Sequence, residues 1–220
     1  MVTPDERAWM WQTYAPEPRM RLNLGIRRRL APLLDNEPQK ILLLNSLLFT
    51  LGGSPFLYYG DEIGMGDNIW LDDRNGLRTP MQWHAGPNGG FSTAPAEKLY
   101  APVNSTPPYD PAAVNVAEQE RDGQSLLNKI RHMIAIRKQH PVFGAGSFRW
   151  AQVDSAAVAA YWREDAGERI LVLNNLAGAA IQVAVPPEHG GYGNILDGTR
   201  LDGPRITLAP HQYLWLTPQG

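Results

Sequence analysis

Two short clusters hold most of the residues able to do chemistry on a polar small molecule. The first is Tyr58-Tyr59-Gly60-Asp61-Glu62-Ile63-Gly64-Met65-Gly66-Asp67-Asn68. Two phenols, the adjacent carboxylates of Asp61 and Glu62, the amide of Asn68 and permissive glycines suit a polar-ligand site. They equally suit a turn whose carboxylates only bond backbone amides, and both readings stay open. A glycosidase pair made of Asp61 and Glu62 is disfavoured. Retaining chemistry wants two carboxyl groups about 5–5.5 Å apart across the scissile bond, and neighbours on extended backbone point to opposite faces. The second cluster is Asp72-Asp73-Arg74-Asn75-Gly76-Leu77-Arg78-Thr79-Pro80-Met81-Gln82-Trp83. Arg78 can make bidentate bonds to carboxylate or hydroxyl groups. Trp83 offers a flat apolar face, for which a place in the core is expected. The histidines, His84, His132, His140, His189 and His211, show no metal-ligand spacing, so no metal site is expected, and with no P-loop or GxGxxG motif no cofactor is expected either. Arg27-Arg28-Arg29 reads as a solvated face or a set of ion pairs.

The elements that must position these clusters are legible. Thr3-Pro4-Asp5-Glu6 starts a helix with a capping box, and Pro16 and Pro18 end it. Asn36-Glu37-Pro38-Gln39 starts a second, whose body Ile41 to Leu51 is apolar nearly all round and ends at Gly52-Gly53. Pro55 to Tyr59 reads as a buried strand of a parallel sheet, placing the first cluster at its carboxyl end, where the active face of such sheets lies. Gly60 to Gly123 lacks periodicity but carries spread aromatics, Trp70, Trp83, Phe91, Tyr100 and Tyr109, and is expected to be an ordered functional loop. Asp122 or Ser125 caps a third helix with an apolar stripe, Leu126, Leu127, Ile130, Met133 and Ile134, stopped by His140-Pro141. Beyond Phe143, seven short strands are predicted at 147–153, 158–164, 169–175, 181–185, 192–196, 205–208 and 212–216. Turns separate them, as in a small antiparallel sandwich. Two domains are expected, 1–141 and 142–220.

Composition narrows the classes. The 220 residues carry 20 Lys plus Arg against 22 Asp plus Glu, a net charge of −2, without the clustered basic surface of a nucleic-acid binder. No cysteine is present, which removes disulfides and thiolate chemistry. The uncharged stretch Ile41–Gly60 is long enough to span a bilayer, but Gly52-Gly53-Ser54-Pro55 breaks it, so no membrane partner is expected. The start lacks the basic and apolar regions of a signal peptide, and a cytoplasmic location is expected.

Ser54 to Met65 resembles the eighth-strand region of the α-amylase superfamily, glycoside hydrolase family 13. Arg78-Thr79-Pro80-Met81-Gln82-Trp83 resembles the motif of its oligo-1,6-glucosidase-like and trehalose synthase branches. Met20 to Leu34 and Gly66-Asp67-Asn68-Ile69 point to the trehalose synthase branch (maltose α-D-glucosyltransferase).

The resemblance implies the C-terminal piece of a (β/α)8 TIM barrel followed by an antiparallel β-sandwich, and it implies retaining interconversion of maltose and trehalose. The family's catalytic groups are an Asp after the fourth strand, a Glu after the fifth and an Asp in an Asn-His-Asp motif after the seventh. None of these is found here, so the chain is expected to hold no catalytic carboxylate and to be inactive alone. The resemblance makes Arg78 the arginine that binds the non-reducing glucose and places Asp61, Glu62 and Asn68 near that pocket. Calcium, common in the family, is mostly bound by segments outside this chain. A complementing N-terminal fragment is the macromolecular partner considered. An oligo-1,6-glucosidase-like fragment and a sugar-binding module on 143–220, with Trp150, Trp162 and Trp215 expected in its core, are the alternatives.

Overall fold

The computed structural model describes residues 2–219, leaving Met1 and Gly220 outside the described residues. The chain divides into two compact units, Met1–Ile41 with Leu57–Asn128 and Leu42–Phe56 with Lys129–Gly220. In chain order the elements are helix α1 (Pro4–Tyr14), the two-residue strands β1 (Arg21–Leu22) and β2 (Gly25–Ile26), and helices α2 (Leu30–Leu33), α3 (Pro38–Thr50), α4 (Val116–Arg121), α5 (Leu126–Gln139) and α6 (Val142–Ala145). Strands β3 (Ser147–Trp150), β4 (Val158–Glu164), β5 (Arg169–Asn175), β6 (Ile181–Ala184), β7 (Tyr192–Asn194), β8 (Arg200–Leu201), β9 (Arg205–Leu208) and β10 (Tyr213–Pro218) follow. Among the described residues no helix is long and apolar enough to cross a membrane.

In the first unit, α1 begins with the predicted capping box. The Glu6 amide donates to Thr3 Oγ1 at 3.2 Å and the Thr3 amide to Glu6 Oε2 at 2.7 Å. Of the two candidate caps for α5, Ser125 is the one used, its Oγ accepting from the Asn128 amide at 3.3 Å. The expected strand at 55–59 does not form a ladder. Residues 54–58 have no regular structure and Phe56 is 87% exposed. A parallel strand needs at least one neighbour to form a ladder, and the described residues supply none.

The long segment after Gly60 is ordered although Trp70, Trp83, Phe91 and Tyr100 are all exposed. Trp83 therefore corrects the expectation of a core residue. The segment folds through short 3-10 turns, the unpredicted α4 and side chains that bond its backbone. Gln82 Nε2 donates to Val114 O at 2.5 Å, Asn88 Nδ2 to Ala94 O at 2.7 Å, and Gln119 Nε2 to Ile63 O at 2.7 Å. A small core of Ile63, Met65, Met81, Val114 and Leu127 lies beneath.

In the second unit an antiparallel sheet runs in the order β3-β4-β5-β10-β7-β8, and β6 pairs with β9. β4 and β5 pair from Val158↔Asn175 to Glu164↔Arg169, closing the predicted hairpin turn, where the Asp165 amide donates to Glu168 O at 2.9 Å. One sheet face, with Val158, Ala160, Trp162, Leu171, Leu173, Leu214 and Leu216, packs with Val183, Ile206 and Leu208 of β6 and β9. The opposite face is also buried. Trp215 Nε1 donates to Ser46 Oγ at 2.9 Å, Ser46 Oγ to Asn174 Oδ1 at 2.9 Å, and the Thr50 and Tyr161 hydroxyls meet at 2.6 Å. Phe143 packs against Trp215 with the rings tilted and their centroids 5.0 Å apart. Burial on both faces explains why β4 and β5 are almost continuously buried instead of alternating. Trp162 and Trp215 occupy the core as expected. Trp150, on the edge strand β3, is exposed, because only one side of that strand has a neighbour.

Candidate functional site

Gly60 and Gly64, at φ 85° and 76°, bracket a 3-10 turn over Asp61–Ile63. A left-handed backbone suits glycine, and at Gly60 a Cβ would stand 2.3 Å from Met65 Sδ. Asp61 and Glu62 thus sit on a helical turn and not on extended backbone. Asp61 is committed to Arg29, whose Nη1 donates to its Oδ1 at 3.0 Å. Burial raises the Asp61 pKa, and the charge of Arg29 offsets part of that shift. Glu62, half-buried, makes no hydrogen bond or ion pair among the described residues. With one carboxylate held by an arginine, the two do not form an acid–base pair.

Arg29 is only 2% exposed. Besides Asp61 it donates to Tyr59 O at 2.7 Å and to Leu77 O at 2.7 Å, and its guanidinium lies 5.0 and 4.9 Å from the Tyr58 and Tyr59 ring centroids. Its neighbours in sequence do related work. Arg28 pairs with the buried Asp67 at 2.8 Å. Arg27 donates to the carbonyls of Arg19, Ile69, Leu71 and Asp73. The basic triplet is therefore a set of ion pairs and carbonyl clamps, and the solvated-face half of its expectation is overturned. Its opposing charges, Asp61 and Asp67, were visible in the first cluster and were the signal that could have revealed this.

Arg78 follows a second 3-10 turn, Asn75–Leu77. Three successive carbonyls around it are each held by a side chain: Leu77 O by Arg29 at 2.7 Å, Arg78 O by the Tyr100 hydroxyl at 2.5 Å, and Thr79 O by the Tyr59 hydroxyl at 2.9 Å. Thr79, Pro80, Met81 and Gln82 are buried beyond it. The Arg78 side chain is exposed, and its guanidinium makes no hydrogen bond or ion pair among the described residues. An arginine on a braced backbone with all five donors available suits recognition of hydroxyl or carboxylate oxygens. Asn68 turns back on its own loop: its Oδ1 accepts from the Trp70 amide at 3.1 Å and its amide donates to Gly76 O at 3.0 Å. The structure thus gathers Tyr59, Asp61, Arg29 and the Arg78 backbone into one hydrogen-bonded unit, with Asn68 shaping the adjoining loop. Sequence reasoning missed Arg29 and the part played by Tyr100. A half-open cavity of about 130 Å³ lined by Leu22, Gly25, Ile26, Arg27, Arg74 and Leu77 lies in the same unit. Among the described residues no cluster of three His, Asp or Glu is arranged to hold a metal ion.

Comparison with known proteins places this arrangement. The alpha-amylase catalytic-domain family model matches residues 26–146, and the C-terminal immunoglobulin-like domain model of D-apionate lactonase matches 154–216. Trehalose synthase/amylase TreS of Mycobacterium tuberculosis is 52% identical over 180 residues, covering 80% of this chain and 30% of that protein. Trehalose synthase of Thermus thermophilus is 50% identical over 177 residues, covering 80% of this chain and 18% of that protein. In fold, the chain resembles the trehalulose synthase MutB of Pseudomonas mesoacidophila MX-45. That match has a TM-score of 0.71 at 23% identity, over 89% of this chain and 42% of the other. The chain therefore spans less than a third of the trehalose synthases it matches, and corresponds to the C-terminal part of a TIM-barrel enzyme followed by a β-sandwich. With more than half of its residues matched by the catalytic-domain model and trehalose synthases as relatives at about 50% identity, the chain belongs to the alpha-amylase family, glycoside hydrolase family 13.

Proposed function

We propose that this chain is the C-terminal portion of a maltose/trehalose-interconverting glucosyltransferase and supplies part of its glucose pocket. The observation that carries the reading is the exposed Arg78 guanidinium on a backbone braced at three successive carbonyls, within a sequence half identical to trehalose synthases. Arg78 contacts the sugar oxygens, Glu62 faces the same pocket, and Asp61 and Asn68 act through the loop they hold. The domains divide near residue 141, the barrel portion before it and the sandwich after.

Retaining glucosyl transfer needs a nucleophile to take the anomeric carbon and an acid to protonate the leaving oxygen. Asp61 is bound to Arg29 and Glu62 makes no hydrogen bond or ion pair among the described residues, so neither serves as half of an acid–nucleophile pair and this chain alone does not turn over. Incubation of the purified chain with maltose is expected to yield neither trehalose nor glucose above a blank, and formation of either overturns this part of the reading.

Residues 54–58 favour a second reading, complementation. They form no ladder and present Phe56 to solvent, as a segment with a strand's composition that lacks its neighbours would. Mixing the chain with a polypeptide carrying the N-terminal portion of a trehalose synthase is expected to give a complex on a sizing column and maltose-to-trehalose turnover. Absence of both refutes complementation.

A further inference from the structure

Tyr100 lies 22 residues beyond Arg78 in sequence, in a stretch without regular structure, and is 65% exposed. A tyrosine so exposed ordinarily gives its hydroxyl to water. This one donates to the Arg78 carbonyl at 2.5 Å, and Phe91 meets its ring edge-on at a centroid distance of 5.9 Å. The next carbonyl, that of Thr79, is held by Tyr59 at 2.9 Å. The two hydroxyls are neighbours: burial foremost raises the Tyr59 pKa, and the hydrogen bond with Tyr100 adds to it.

We propose that Tyr100 is a positioning residue for sugar recognition, fixing through the Arg78 carbonyl the backbone from which the guanidinium projects, with Tyr59 as the second point of the same clamp. The proposal rests on Arg78 being the glucose-binding arginine. The guanidinium makes no hydrogen bond or ion pair among the described residues, so its placement depends on its own backbone. Each tethered carbonyl removes dihedral freedom that ligand binding would otherwise have to remove, and a site loosened by a fraction of an ångström loses recognition. Tyr100 does this from a separate segment of the long loop, which links the order of that segment to the sugar contact.

The test uses the 220-residue chain and arginine side-chain NMR, with the Arg78 Nε–Hε signal identified by its loss in Arg78→Lys. Tyr100→Phe keeps the ring and deletes only the hydroxyl, so the thermal midpoint is expected to hold. The Arg78 signal is expected to shift or split, and exchange of the Arg78 amide, which donates to Asn75 O, to quicken about fivefold, the loss of one ordinary hydrogen bond. Maltose titration is expected to weaken by about the same factor in Tyr100→Phe, and the effect to vanish in an Arg78→Ala background, as coupling through Arg78 requires. An Arg78 signal and amide exchange unmoved by Tyr100→Phe overturn the clamp. A Tyr100→Phe effect that persists undiminished in Arg78→Ala overturns positioning through Arg78. Maltose that fails to move the Arg78 signal, or binds Arg78→Ala as well as the parent chain, overturns the reading of Arg78 as a sugar contact, and the signal and exchange measurements still judge the clamp by themselves.

Discussion

Replacing Arg29 by Ala removes one side chain and strands three part-buried groups. Asp61 loses its ion-pair partner, and the carbonyls of Tyr59 and Leu77 lose their donors. Breaking a buried pair by deleting one partner costs about 3–5 kcal/mol. A carbonyl left without a donor adds about 1–3 kcal/mol where water cannot reach it. Two effects reduce the total. The space vacated by a guanidinium admits water, and Asp61, whose pKa burial already raises, escapes part of the charge penalty by taking a proton. A net loss of about 3–5 kcal/mol is expected, read as a local stability change. Hydrogen exchange followed by mass spectrometry resolves it. Peptides covering residues 57–80 are expected to exchange about a hundredfold faster or more, while peptides of β4 and β5 in the other unit keep their protection. Asp61→Asn leaves Arg29 without its counter-ion but retains an acceptor and both carbonyl bonds, so it is expected to cost less than Arg29→Ala. Arg74→Ala, at an exposed arginine without an ion pair among the described residues, serves as the neutral control. Protection of 57–80 falling less than tenfold in Arg29→Ala, or equally in Arg74→Ala, refutes the account of Arg29 as the residue that ties the two clusters together.

Gly76→Ala would place a Cβ 2.0 Å from the Asn68 carbonyl in a loop already closed by the Asn68 amide on Gly76 O, and a lowered urea midpoint worth about 1–3 kcal/mol is expected. Ser46→Ala leaves Trp215 Nε1 and Asn174 Oδ1 buried without that partner; a loss of about 1–3 kcal/mol per stranded group is expected, with a changed near-ultraviolet signal from Trp215. Tyr192, 1% exposed and donating to Pro186 O, has its pKa pushed up to about 12, first by burial and then by Glu188. The fold keeps this proton after the unfolded chain has lost it. Its share of stability is therefore intact below pH 10, declines as pH rises toward about 12 and then levels, a loss of about 3 kcal/mol that Tyr192→Phe should abolish. An alkaline stability curve unchanged in that variant counts against the burial argument.

Much of the molecule was legible in the sequence because local chemistry decided it. The Thr3–Glu6 capping box, the His140-Pro141 stop and the hairpin at Asp165–Glu168 need only neighbours in the chain, and the strands 158–164, 169–175 and 205–208 appear with the expected bounds. What was not legible depends on distant partners. Pro55–Tyr59 has a strand's composition, but a strand exists only in a ladder, and composition does not reveal whether one is available. Trp83 and Trp150 have the residue type of a core and the surroundings of a surface. Arg27-Arg28-Arg29 read as either a solvated face or a set of ion pairs, because composition does not show which charges are covered. Its burial follows from acids and carbonyls some 30 to 48 positions further along the chain. At the candidate site the sequence named Arg78, Asp61, Glu62 and Asn68, but not that the exposed Arg78 guanidinium is supported by three hydrogen bonds to backbone carbonyls, two of them from tyrosines.

The buried arginines answer a deficit created by composition. Each of the 19 prolines removes a backbone donor while keeping its carbonyl, and a loop-rich chain forms few ladders in which the remaining carbonyls can be satisfied. Arginine carries five donors and no acceptor, so one residue can satisfy several carbonyls at once. Arg27 serves four carbonyls in the first unit. In the second unit Arg163, 1% exposed, donates to Thr50 O at 2.7 Å, Gly146 O at 2.9 Å and Ser147 O at 3.2 Å, and Arg137 donates to Phe49 O. Burial lowers the pKa of both Arg163 and Arg137, yet arginine starts so high that it stays charged where a lysine would lose its proton. Lysine also lacks the planar fork that spans carbonyls on different segments. The same logic separates the arginines by task. Arg27, Arg29 and Arg163 spend their donors on the chain itself, whereas Arg78 rests on a backbone whose carbonyls others have satisfied, and its guanidinium makes no hydrogen bond or ion pair among the described residues, as the proposed sugar contact requires.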